Sequence, residues 1–182
     1  MKPLKSDYYK IAGICRVNDQ YITTDGHRMH ISAEKPPENA AVYSLEEYAR
    51  GFRATPELFL WMLRTPYRIV TELDAGELYG AVKRAWTFSR EECSIEAKAD
   101  SVVISANGDD GSTKTSLNAE VKTEFRVQVN SKYLLDAVNH CGKKGKLYLC
   151  IKNLEWGTGI SEVPMLAVPG FTKWAFIMPI IH

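Results

Sequence analysis

The sequence predicts an α+β fold, made mostly of antiparallel strands, in which one block of elements is written twice. Three features predict it. Segments whose apolar residues alternate with period two recur along the chain. Two amphipathic helical segments interrupt them, one at residues 72–88 and one opening at Asn130-Ser131. Each helix is followed by three strand-like segments, so residues 67–182 read as strand, helix, three strands, twice over. The repeat lies in element order and not in residue identity.

The elements follow in order. Residues 8–17 alternate, with Tyr9, Ile11, Gly13, Cys15 and Val17 on one face, and predict a strand. Asn18-Asp19 is a turn, and Tyr21-Ile22-Thr23-Thr24 opens a second strand. Asp25-Gly26 is expected as a turn or bulge inside that strand, which Arg28-Met29-His30-Ile31 resumes. Residues 34–41, with Pro36-Pro37, read as a loop. Ser44-Leu45-Glu46-Glu47 has the form of a capped helix start or turn. Thr55-Pro56-Glu57 starts another helix, with Thr as N-cap and Pro in the first turn, and Thr65-Pro66 stops it. Its run Leu58-Phe59-Leu60-Trp61-Met62-Leu63 needs apolar cover.

The helix expected at 72–88 carries Leu73, Leu78, Val82, Ala85 and Trp86 on one face. Strands are expected at 93–99, 101–106 and 113–121, with Asn107-Gly108-Asp109-Asp110-Gly111 as a hairpin tip. Residues 124–129 form the next strand. The second helix presents Tyr133, Leu134, Leu135, Ala137 and Val138, and Gly142-Lys143-Lys144-Gly145 ends it. Strands at 146–151, 156–162 and 173–178 complete the chain.

Bulk properties narrow the function classes. The chain has 182 residues, 45% hydrophobic and 25% charged, which suits a globular protein with a core. A net charge of +1 neither demands nor excludes nucleic acid, because a balanced total can hide a basic face. No apolar run is long enough to span a bilayer, and Met1-Lys2-Pro3-Leu4-Lys5-Ser6 carries no signal core; an intracellular, cytoplasmic protein without a membrane partner is expected. Cys15, Cys93, Cys141 and Cys150 are scattered, as buried thiols in a reducing compartment would be, and His140-Cys141 lacks a partner at zinc spacing. No phosphate loop, dinucleotide fingerprint or nucleophile elbow occurs. Asp25 and His27 lack a nucleophile, so no enzyme, metal or cofactor is expected.

Two distant segments carry the sharpest signal: Thr24-Asp25-Gly26-His27-Arg28-Met29 and Phe176-Ile177-Met178-Pro179-Ile180. In this order they resemble the two halves of the peptide-binding cleft of the bacterial DNA polymerase III beta sliding clamp family. The run Phe125-Arg126-Val127-Gln128-Val129-Asn130-Ser131-Lys132-Tyr133-Leu134-Leu135-Asp136-Ala137 is similar to that family's strand-plus-helix segment, and Trp174-Ala175-Phe176-Ile177-Met178-Pro179 to its closing strand. The resemblance implies a clamp domain of two β-α-β-β-β half-units at 66–182, and a partial clamp half-domain at 1–65 that holds strands like those of the family's middle domain. Residues 33–65 have no counterpart. The rest of the middle domain and the whole first domain are not represented.

The resemblance also implies a site. Ile11, Thr24, Gly26, His27, Arg28 and Met29 would line one side of a partner-peptide cleft, and Met178, Pro179 and Ile180 the other. Apolar walls there would accept Leu or Phe anchors. Ile180-Ile181-His182 departs from the apolar, basic, Leu ending usual in the family. Lys83, Arg84, Lys132, Lys143, Lys144 and Lys146 are the candidates to face DNA, through sequence-independent phosphate contacts. Lysines near a helix C-terminus are also ordinary capping chemistry. The function implied is a processivity factor that tethers a DNA polymerase to double-stranded DNA as a homo-oligomer and docks clamp-binding peptides. The alternative is an interaction module that does not encircle DNA and competes with or binds a host clamp.

Overall fold

A computed structural model of the chain describes residues 1, 3–4, 13–52, 54–64, 66–109, 111–156, 159–170 and 172–180, with only the backbone described at 154–156 and 159–162. The strand expected at 8–17 therefore lies partly outside the described residues. Its described part is β1 (Ile14–Val17). Asn18 makes the turn at φ +53°, and β2 (Gln20–Thr24) returns antiparallel to β1. The chain does not continue one strand through Asp25-Gly26. It reverses there, and β3 (Arg28–Ser32) pairs antiparallel with β2. A single Gly at positive φ is enough to turn the chain, which alternation alone does not reveal.

A loop leads to β4 (Val42–Tyr43) and α1 (Leu45–Gly51). Ser44 caps α1 with a reciprocal capping box: its hydroxyl accepts from Glu47 N, and the Glu47 carboxylate accepts from Ser44 N. Next comes α2 (Pro56–Arg64), whose Phe59 is buried.

The doubled block is β5 (Tyr67–Asp74), α3 (Ala75–Phe88), β6 (Cys93–Lys98), β7 (Ser101–Gly108) and β8 (Gly111–Asn118), then β9 (Phe125–Val129), α4 (Ser131–Cys141), β10 (Lys146–Trp156), β11 (Gly159–Ala167) and β12 (Lys173–Ile177). The expected helix at 72–88 is corrected at its start. Glu72 and Leu73 pair with Tyr148 and Leu147 in β5, and Asp74 is the N-cap, accepting from Gly76 N and Glu77 N. Leu73 satisfies both a strand and a helix pattern; the cap decides which applies. β10 also runs past the expected 151, and β11 falls later than 156–162.

Each half-unit lends its first strand to the other. β5 pairs with β10, and β9 with β6, giving a four-stranded sheet ordered β8-β7-β6-β9. The other sheet has eight strands, β4-β1-β2-β3-β12-β11-β10-β5, because β3 adds to the free edge of β12. A large core joins α3 and α4 to both sheets, through Leu78, Val82, Ile95, Ile104, Leu134, Val138, Leu147 and Ile151. A second core lies on the opposite face of the long sheet and holds Cys15, Ile22, Met29, Met165 and Phe176 under Tyr48, Phe52 and Phe59 of α1 and α2. Among the described residues no helix is long and apolar enough to cross a membrane.

Candidate functional site

The loop between β2 and β3 is fixed by its own side chains. Asp25 is 5% exposed, and its Oδ1 accepts from His27 N at 3.0 Å and Arg28 N at 3.1 Å. Its Oδ2 accepts from Arg28 Nε at 3.0 Å. Thr24 Oγ1 donates to Arg28 O at 2.6 Å and accepts from Gly26 N at 3.1 Å. Gly26 sits at φ +92°, where a Cβ would be strained. Asp25 is thus committed to holding the turn, and the turn presents Gly26 and His27 to solvent.

Arg28 ties this loop to α4. Its guanidinium bonds the Asp136 carboxylate and lies over the Tyr133 ring, 4.6 Å from the centroid. The His27 ring stacks on the same tyrosine at 5.8 Å and 21°. Tyr133 packs against the large core, as helix periodicity expects, and also stands beside the loop. Sequence reasoning could not see the loop contact, because the side chains that meet it come from another element.

The chain end lies against the same loop. Phe176 pairs with Met29 and Ile177 with Arg28. Met178 N then donates to His27 O at 2.8 Å. Pro179 bridges to Val129, and Ile180 N donates to Gln128 O at 2.8 Å, so the segment passes from the long sheet to the end of the four-stranded one. Met178, Pro179 and Ile180 are half-buried.

The structure brings together Gly26, His27, Arg28, Met178, Pro179 and Ile180. Thr24 and Met29 are 6% and 3% exposed, so their side chains are buried and not presented at the surface. Ile11 lies outside the described residues. A further boundary comes from α2, whose Leu60, Met62 and Leu63 pack in the same apolar cluster as Met29, Phe176 and Met178. Lys152 fixes that helix. It is 2% exposed, and its Nζ donates to the carbonyls of Met62 at 2.8 Å and Leu63 at 3.3 Å, over the Phe176 ring. Burial pushes its pKa down to about 8. The apolar run 58–63 hinted at this helix, but no local signal names the lysine that caps it.

The basic candidates have different neighbours. Lys143 and Lys83 flank the Tyr79 ring, at 4.1 and 6.0 Å, and join α3 to the end of α4. Lys144 is exposed nearby in sequence. Arg84 turns to Thr115 Oγ1 at 3.3 Å, and Lys146 pairs with Glu72 at 3.8 Å. Lys132 lies in the first turn of α4, at the other end from Lys143. Among the described residues no His, Cys, Asp and Glu side chains gather as a metal-holding group. The four cysteines are buried and free; burial raises Cys93 to about 11 and Cys15, Cys141 and Cys150 to about 12.

A doubled β-α-β-β-β block, joined at its last strand to a further four-stranded unit, β3-β2-β1-β4, is the sliding-clamp fold. Solved structures agree. A DNA polymerase sliding clamp from Pseudomonas aeruginosa superposes with a TM-score of 0.67 at 14% identity, covering 100% of this chain and 62% of that one. The Caulobacter crescentus beta sliding clamp, solved with polyethylene glycol at a region proposed to tether beta motifs, gives 0.65 at 14% identity, covering 93% and 57%. A Bartonella birtlesii sliding clamp bound to griselimycin gives 0.61 at 15%, covering 93% and 58%. This chain thus has the clamp fold and spans about 57–62% of the length of these clamps. No protein-family model matches it, and no curated protein matches it in sequence.

Proposed function

We propose that this protein is a non-catalytic, sliding-clamp-like factor of DNA replication that works in the cytoplasm. It tethers a polymerase to double-stranded DNA and docks partner peptides in the groove between the Gly26-His27 loop and Met178–Ile180. Residues 1–65 act as a partial clamp domain and 66–182 as a complete one. The observation that carries the reading is the bond from Met178 N to His27 O, which sets the two distant motifs side by side. The groove suits a peptide: Met178, Pro179 and Ile180 offer apolar surface, His27 offers a polar edge, and Gly26 lets a partner backbone come close. Homo-oligomers would close the ring, four chains of three half-units matching the twelve of a clamp.

The experiment pairs retention on circular DNA with capture of clamp-binding peptides. His27→Glu, at an exposed position, and Met178→Glu, at a half-buried one, should each abolish peptide capture, with circular dichroism checking that the fold survives. Unchanged affinity in both variants removes the groove assignment. One observation favours the second reading, a docking module that does not encircle DNA: Arg84 bonds Thr115 Oγ1 and Lys146 pairs with Glu72, so two of the basic candidates already have protein partners. Peptide capture without DNA retention supports that reading.

A further inference from the structure

The two faces of β3 have opposite characters. Met29 and Ile31 point into the apolar core shared with Phe176. Arg28, His30 and Ser32 point the other way, in register with Ile177, Ala175 and Lys173. That second face is the one α4 covers farther along the sheet, at Ala175 and Ile177. In the doubled block the matching face is apolar; under α3, for example, β7 presents Val102, Ile104 and Ala106. On β2 and β3 it is polar, and Leu4 crosses it with its N–H on Thr23 Oγ1 at 2.8 Å. Between this face and the flank of α4 lies a cavity of about 620 Å³. A face that carries arginine, histidine and serine where its counterparts carry valine and isoleucine suits a polar occupant.

We propose that this cavity is an oxyanion site that takes a phosphate group, with His30 Nε2–H and the Lys132 ammonium as donors. Three observations converge. His30 lines the cavity and is 5% exposed, yet its Nε2 has no hydrogen-bond partner among the described residues. A buried ring nitrogen without a hydrogen-bond partner is costly and calls for one; in the Nε2–H tautomer it calls for an acceptor. Its ring is held rigidly, stacked on His140 at 4.5 Å and 13°, while His140 Nε2 bonds Ile31 O at 2.8 Å. Lys132, at the rim, has no ion-pair partner among the described residues. The two carboxylates in the lining already have cationic partners: Asp136 shares Arg28 with Asp25, and Glu34 has Lys173 at 2.8 Å. The Lys132 ammonium, the Met1 amino group and the Asn139 amide also line the cavity beside His30, a set of cations and neutral polar groups that suits a group carrying one or two negative charges. Burial holds His30 neutral, so it donates without needing a proton from solvent.

Such a group comes either from free phosphate or from a DNA backbone; only the second source rests on the function proposed above. The test follows the histidine ring protons by NMR in the full chain while inorganic phosphate replaces chloride at constant ionic strength. His30 and His140 should shift saturably, and His27, on the groove loop, should not. Lys132→Ala, at an exposed position, should weaken phosphate about tenfold, the worth of one charge-assisted bond. His30→Leu should abolish the response. A linear drift shared by all histidines, or unchanged affinity in Lys132→Ala, overturns the site. Adding short duplex DNA then identifies the source: displacement of the phosphate response assigns the backbone, and persistence assigns free phosphate. Loss of DNA retention with the phosphate response intact would remove the clamp function and leave this site standing.

Discussion

Acidifying the protein from pH 7 to pH 5 should weaken it mainly through His30. The ring is 5% exposed, stacked on His140, and lies near Arg28. Burial, then the neighbouring His140 and Arg28, push its pKa from 6.5 to about 2. In the unfolded chain it titrates near 6.5. Between those values the unfolded chain takes up a proton that the folded chain refuses. The stability is therefore fully present above about pH 6.5 and is lost progressively as pH falls towards 2. At about 1.4 kcal/mol per pH unit, His30 alone removes about 2 kcal/mol by pH 5. His140, also lowered mainly by burial, adds to this in the same direction. Glu34 and Glu47 are held below 4.5, so their contributions fade only in stronger acid. Urea unfolding of wild type and His30→Leu, from pH 7.5 to 5, checks the argument. The comparison does not depend on the variant's absolute stability; its slope against pH should be visibly flatter. Equal slopes would refute the assignment of acid lability to this ring.

Further outcomes follow from the same loop and cores. Lys152, at about 8 instead of 10.5, stays protonated below pH 8 in both states and so carries its desolvation cost there. Between pH 8 and 9 the folded chain sheds that proton first, and wild type should gain about 1 kcal/mol relative to Lys152→Met; parallel stability curves would contradict this. Asp25→Ala removes a buried carboxylate that accepts three bonds and leaves Arg28 half-paired, so it should cost about 3–5 kcal/mol in denaturant unfolding. The four thiols, raised by burial, should stay inert to a thiol-specific reagent in native buffer and react together after unfolding. Rapid labelling of any one in the native protein would show that its burial is broken.

Much of this molecule was legible without coordinates. Asn130 was readable as a cap because its side chain accepts from the N–H groups of Lys132 and Tyr133, a purely local bond. The hairpin at Gly108 and Gly111, the capping box at Ser44 and the doubled element order are local in the same sense: caps, turns and periods depend on residues only a few positions apart. The start of α3 was misplaced because Leu73 fits both periods, and its partner Leu147 lies in the other half-unit.

What the sequence determined alone was the menu of elements and the two motifs at its ends. Tertiary structure decided that β12 offers its free edge to β3, so that the motifs meet at the bond from Met178 to His27. It also decided that Tyr133 faces the loop, that Lys152 caps α2, and that His30 is buried against His140 without a partner for its Nε2 among the described residues. The physical reason is one of range. Backbone propensity acts between neighbours in sequence, whereas strand-edge pairing and the burial of a titratable ring depend on surfaces that exist only once distant elements have packed.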